Sequence, residues 1–102
     1  MTDVRSRARL ATRCAAAAIF VLLAACVSAP VQEMSDARQA IQAAEEAGAG
    51  TLAPDALRDA KRLLTSAERK LQREAYASAR QDARESRRKA AEALEAARAG
   101  ED

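Results

Sequence analysis

Histidine and tryptophan are both missing from this 102-residue chain, which has one phenylalanine, one tyrosine and two cysteines. Without histidine there is no imidazole for acid–base catalysis or for metal ligation. Aromatics at 2% exclude a large aromatic core and a base-stacking surface for nucleic acid. With three glycines and two prolines there are few breaks and no glycine-rich phosphate loop. Strand-forming residues are scarce as well. What remains is alanine, at 29 positions, so the 49% hydrophobic content is mostly methyl groups. The chain is therefore expected to be all-α, one small domain at most, with no spacious ligand pocket.

The first residues are basic, with Arg5, Arg7, Arg9 and Arg13 against the single acid Asp3. An apolar run from Cys14 to Val27 follows. It falls short of the roughly 20 residues a membrane-spanning helix needs, and the basic-then-apolar order is that of a secretory signal. The run ends in Leu23-Ala24-Ala25-Cys26. This is similar to the lipobox of bacterial lipoproteins. The resemblance implies cleavage between Ala25 and Cys26, diacylglycerol on the Cys26 thiol and an acyl group on its new amine. Residues 1–25 are then a signal peptide, and the lipid on Cys26 ties the chain to a membrane. Val27 follows that cysteine where an aspartate would favour inner-membrane retention. The resemblance therefore implies the outer membrane, with the protein on its periplasmic side.

Processing would remove Cys14 and lipidate Cys26, leaving no thiol for a disulfide, metal or redox role. It would also change the charge. The formal value is +2, with 17 basic and 15 acidic residues; losing four Arg and Asp3 leaves 13 and 14, a net −1. A globally basic nucleic-acid binder is not indicated.

Residues 26–34 read as the lipidated cysteine and a flexible tether, since Val27 to Val31 lack a helical period. Residues 35–98 read as an alanine-rich helical bundle or hairpin of about three helices, antiparallel, and 99–102 as a disordered tail. The first helix is expected from Ser35, as N-cap, to Ala47, with Ala37, Ala40, Ile41, Ala44 and Ala47 on one face. Gly48 suits a left-handed C-cap, and 48–53 reads as a loop. Pro54 suits the first position of the second helix, which runs to about Arg73. Its apolar seam is Leu57, Ala60, Leu64, Ala67 and Leu71, spaced 3, 4, 3, 4. A third segment, about Glu74 to Ala97, has the seam Tyr76, Ala79, Ala83, Ser86, Ala90, Ala93 and Ala97. The two seams are out of phase, so the chain either turns back near 73–75 or continues as one long helix with a rotating buried face. A tight turn is favoured because it lets both stripes be covered. Beyond alanine only eleven larger hydrophobic residues follow the signal, so modest stability, or support from a partner, is expected.

The pattern Ala37-x-x-x-Ile41-x-x-Ala44-x-x-x-Gly48-Ala49, then Leu52-Ala53-Pro54, then Leu57-x-x-Ala60-x-x-x-Leu64-x-x-Ala67, then Tyr76-x-x-Ala79-x-x-x-Ala83 resembles small bacterial lipoproteins carrying the domain of unknown function 4398. The resemblance covers about residues 35–98. It implies a helix–loop–helix–helix arrangement behind a lipid anchor, and supplies no activity and no catalytic residues. Some relatives carry an added peptidoglycan-binding domain, which this sequence is not expected to contain. The major murein lipoprotein is also short, lipidated and helical, but attaches to the wall through a C-terminal lysine. Here the last lysine is Lys89, so covalent attachment is not expected.

Arg80, Arg84, Arg87 and Arg98 fall within about 60° of one another on the third helix. Arg73 would join them if that helix were continuous. Such a row can grip phosphate or carboxylate oxygens in pairs, so these residues are candidate contacts for an anion or a partner. A solvated face closed by local pairs is the other reading, with Asp55–Arg58, Asp59–Arg62, Glu85–Lys89 and Glu95–Arg98 suitably spaced. Asp82 and Glu85 form a carboxylate pair without an expected cleft, and no enzyme, metal site, cofactor or small-molecule substrate is expected. The function this implies is structural or adaptor-like in the cell envelope, through an envelope protein or a second copy. The alternative is an envelope ligand-binder contacting peptidoglycan or anionic lipid through the Arg row.

Overall fold

A computed structural model describes residues 28–101, which form four helices: α1 (Val31–Glu46), α2 (Ala49–Leu52), α3 (Pro54–Gln72) and α4 (Tyr76–Glu101). The all-α expectation holds. The first helix begins four residues ahead of Ser35, inside the stretch read as a tether. Pro30 fixes the entry: its backbone has φ −80°, and its carbonyl accepts the Met34 N–H at 3.1 Å. Glu33 in the first turn suits the positive end of the helix. Met34, only 2% exposed, and buried Pro30 add apolar contacts that reward the earlier start. Ser35 lies within the helix, where its Oγ accepts from Gln39 at 3.3 Å.

Between α1 and α3 the expected loop is a single helical turn. Gly48 takes φ +86°, the left-handed cap that a missing side chain tolerates. Its carbonyl then accepts from Thr51 and Leu52, and the Ala49 carbonyl from Ala53. Pro54 opens α3 at the position where no amide hydrogen is needed.

The out-of-phase seams resolve into a reversal at 73–75. The Ala75 N–H donates to the Lys70 carbonyl at 2.9 Å and the Glu74 N–H to the Leu71 carbonyl at 3.0 Å. This paired cap satisfies two end carbonyls of α3 and requires a left-handed residue, here Glu74 at φ +61°. α4 does not stop at Ala97. It continues to Glu101, so 99–101 of the expected tail are helical, and Asp102 lies outside the described residues. At Gly100 an added Cβ would lie 3.3 Å from a methyl of Leu52, so the bare glycine lets α2 rest on the last turn of α4.

Cross-helix pairs fix the topology. Glu33 meets Arg80 near one end and Leu52 meets Gly100 near the other, so α1 and α4 run parallel. Ser66 meets Asp82 and Ala60 meets Ser86, so α3 runs antiparallel to both. The α4 seam predicted from the sequence is the buried one: Ala79, Ala83, Ser86, Ala90, Ala93 and Ala97 are all 0% exposed. On α3, Leu57, Ala60 and Ala67 are buried, while Leu64 and Leu71 are half-buried. The core divides in two. One cluster centres on Met34, Ala67 and Ala83; the other combines Ile41 and Leu57 with a layer of alanines. Alanine lets helix axes approach at the close end of the usual 8–10 Å range. It buries only about one methyl per contact, near 0.8 kcal/mol, against about 1.5–3 kcal/mol for a leucine or methionine. Ser86 is the buried polar exception, and its hydroxyl donates to the Ala60 carbonyl at 2.6 Å. Among the described residues no buried side-chain nitrogen or oxygen lacks a partner.

Candidate functional site

The arginine row lies on α4, and the structure separates its members. Arg80 is 19% exposed and turns inward along the start of α1. Its Nε donates to Glu33 Oε1 at 3.1 Å and its Nη2 to the Ser28 carbonyl at 2.9 Å. Arg84 approaches the same Glu33 oxygen at 3.8 Å while staying mostly exposed. Arg87 and Arg98 are exposed, and neither forms an ion pair among the described residues. Arg73 does not join the row, because α3 has already ended at Gln72. The four arginines share a side of the helix but not a role. Arg80 is a structural clamp that holds residue 28 against α4, which removes it as a free anion contact.

That clamp also revises the tether. Ser28 is held by Arg80, Pro30 is buried, and 31–34 are helical. Glu33, on which Arg80 and Arg84 converge, was not singled out in the sequence. It lies 47 residues from Arg80, in the stretch whose sequence reads as a tether. No local signal in the sequence marks the pairing.

The outer face of α4 has a shallow open hollow lined by Ala77, Arg80, Gln81, Arg84, Glu85 and Arg88. Within it Arg88 holds Glu85 through two hydrogen bonds. Those bonds keep the Glu85 carboxyl below its ordinary pKa and raise the already high value of Arg88. The expected Glu85–Lys89 pair is displaced by this one, and Lys89 pairs with Glu92 instead, at 3.3 Å. Asp55–Arg58 and Asp59–Arg62 form as expected, at 3.3 and 3.7 Å. Glu95–Arg98 does not close. These exposed pairs contribute little each.

Asp82 has a different setting from Glu85, so the two do not act as a pair. Its Oδ2 accepts from Ser66 Oγ at 2.6 Å and from Lys70 Nζ at 2.8 Å. Partial burial pushes the Asp82 carboxyl up. The hydrogen bonds from Lys70 and Ser66, with the charges of Lys70 and Arg62, outweigh that and hold it below its ordinary value. Ser66 and Lys70 stand one turn apart on α3 and bracket Asp82 from α4. The reversal at 73–75 creates this polar bracket, and only the geometry of that turn reveals it.

Among the described residues no group of three or more acidic, cysteine or histidine side chains could hold a metal ion. No helix among them is long and apolar enough to cross a membrane. Leu23, Ala24, Ala25 and Cys26, the lipobox residues and cleavage site, lie outside the described residues. A family profile described as a domain of unknown function, DUF4398, matches residues 32–102. No curated protein and no solved structure matches the chain.

Proposed function

From the premise that the chain belongs to the DUF4398 family, we propose a membrane-anchored, periplasm-facing lipoprotein with a structural or adaptor role in the cell envelope. The anchor is the covalent lipid on Cys26, and the outer membrane is its site. The observation that carries this reading is the fixed position of Ser28, which in sequence lies two residues after Cys26 and whose carbonyl the Arg80 guanidinium holds. A lipid at that position places the helices on the membrane surface rather than on a loose leash. The adaptor role draws support from the interior. Alanine seams and satisfied hydrogen bonds use it up, leaving charged outer faces as the material for recognition. The partner is an envelope protein or a second copy, with no nucleic acid, no small-molecule substrate and no catalytic residue in this reading.

The test has two parts. Intact mass of the membrane-extracted protein, with Cys26→Ser beside it, reports acylation: the native chain gains the lipid masses and the variant accumulates as precursor. Normal cleavage of the variant would refute the anchor. In-cell photo-crosslinking from positions 84 and 62 then reports the role. A discrete protein adduct supports an adaptor. Adducts confined to glycan or lipid would replace it with contact to wall or membrane anions, and no adduct at either position would refute it.

A further inference from the structure

The two ends of the bundle differ in charge and in what they expose. At one end lie the α3–α4 turn and the first turn of α1. Arg69 and Arg73 there are exposed, and neither forms an ion pair among the described residues. Nearby cations are engaged: Lys70 with Asp82 and Arg80 with Glu33. Glu74 in the same turn offsets one of the two free charges. The same end exposes Val31, 72% accessible, and holds the only tyrosine, Tyr76, half-buried at the start of α4. The opposite end carries the exposed carboxylates Glu46, Glu95 and Glu101 with one exposed arginine, Arg98, none in an ion pair among the described residues, so its unpaired charge is net negative.

We infer that the turn end of the bundle is a membrane-contact surface, seated on anionic phospholipid headgroups by Arg69 and Arg73 with Val31 and Tyr76 at the interface. This rests on the lipidated Cys26 reading and deepens it. The position of the chain ahead of the structure supports it, since Ser28 is clamped at this end and the lipidated residue is two positions away. The several acyl chains on Cys26 hold the chain to the bilayer by themselves, so basic residues beside them set which face of the bundle meets the surface rather than whether it binds. Charge acts in the same direction at both ends. An anionic surface attracts Arg69 and Arg73 and repels the net-negative far end, so the bundle stands with the turn downward. Tyrosine favours the same level, with its ring in the apolar boundary and its hydroxyl wet.

The test uses the mature lipidated protein in vesicles of phosphatidylcholine with or without phosphatidylglycerol. A fluorophore is attached at Ala75→Cys, in the turn, or at Gly50→Cys, where no atom crowds an added side chain. Quenching by headgroup-labelled lipid measures contact. The expected result is strong quenching at position 75, little at 50, and a phosphatidylglycerol requirement. Arg69→Gln with Arg73→Gln should lower quenching at 75 by about threefold or more, as should raising the salt from roughly 50 to 300 mM. Equal quenching at both positions, or quenching indifferent to phosphatidylglycerol and to the double variant, would overturn the inference while leaving the anchor intact. Intact mass of the same preparation separates the two readings. An unacylated Cys26 overturns the anchor and this surface together.

Discussion

Around Met34 the three long helices meet over one buried long side chain flanked by half-buried Leu64 and Leu71, whereas around Ala90 they meet largely over alanine methyl groups. The Met34 end adds polar cross-links: Glu33 with Arg80, and Asp82 with Ser66 and Lys70. The Ala90 end has Ile41 and Leu57 set in an alanine layer, with Ser86 donating to the Ala60 carbonyl. The reversals differ as well. The far one uses Gly48 at φ +86°, and the near one forces Glu74 to φ +61°. The difference shows two ways a chain poor in large hydrophobic residues holds helices together. One gathers contact around a single buried methionine and reinforces it with partly buried charge pairs. The other spreads contact over many small residues that tolerate little change in volume.

Met34→Ala should cause the largest loss, about 3 kcal/mol, because it empties the centre of the small cluster. In a domain this small that is a large part of the total, visible as a collapsed thermal or urea transition. Ala90→Leu tests the opposite end by overfilling. Ala90 is 0% exposed, so the added atoms have no space, and a loss of about 2 kcal/mol is expected in the same urea experiment. If Ala90→Leu were neutral, the far end would not be close-packed.

Asp82→Asn probes the polar reinforcement and should cost about 1 kcal/mol at neutral pH through its weakened bonds to Lys70 and Ser66. The folded carboxyl titrates lower than the unfolded one. Its contribution is therefore fully present above the ordinary aspartate pKa, about 4, and is lost as pH falls through the lower folded value. Melting temperature measured from pH 6 down to pH 2 should fall less steeply in Asp82→Asn than in the native chain. The smallest effects belong to the turns, and they should have opposite signs. Gly48→Ala should lose about 1 kcal/mol, and Glu74→Gly should gain about 0.5 kcal/mol by relieving the left-handed backbone. Urea midpoints of the two variants check both signs.

Much of the fold was legible because α4 buries small residues, five alanines and Ser86, at one spacing. The six positions from Ala79 to Ala97 are those the 3–4 period selects. The phase break between Leu71 and Tyr76 likewise revealed the reversal without a glycine to mark it. Tyr76 itself is half-buried, since it opens α4 before the helix is fully covered. The start of α1 was not legible. Met34 packs with Leu64, Ala67 and Ala83, 30 or more residues away. The single turn at 49–52 was hidden for a related reason: Gly48-Ala49-Gly50 has poor helix propensity, and carbonyl capping with support from Leu52 on Gly100 overrides it. The site shows the same limit. The angular grouping of Arg80, Arg84, Arg87 and Arg98 follows from the sequence, but the inward turn of Arg80 depends on Glu33 and Ser28, both in the stretch read as unstructured.

The parallel arrangement of α1 and α4 makes the bundle a spacer. The chain enters beside the α3–α4 turn and leaves α4 at the other end. At 1.5 Å per residue the 26 residues of α4 span about 39 Å. A reporter fused after Asp102 would therefore stand off from the point of entry by about the thickness of a bilayer. One fused ahead of Ser28 would sit beside the turn, so tags on the two ends sample different depths above whatever surface holds the chain.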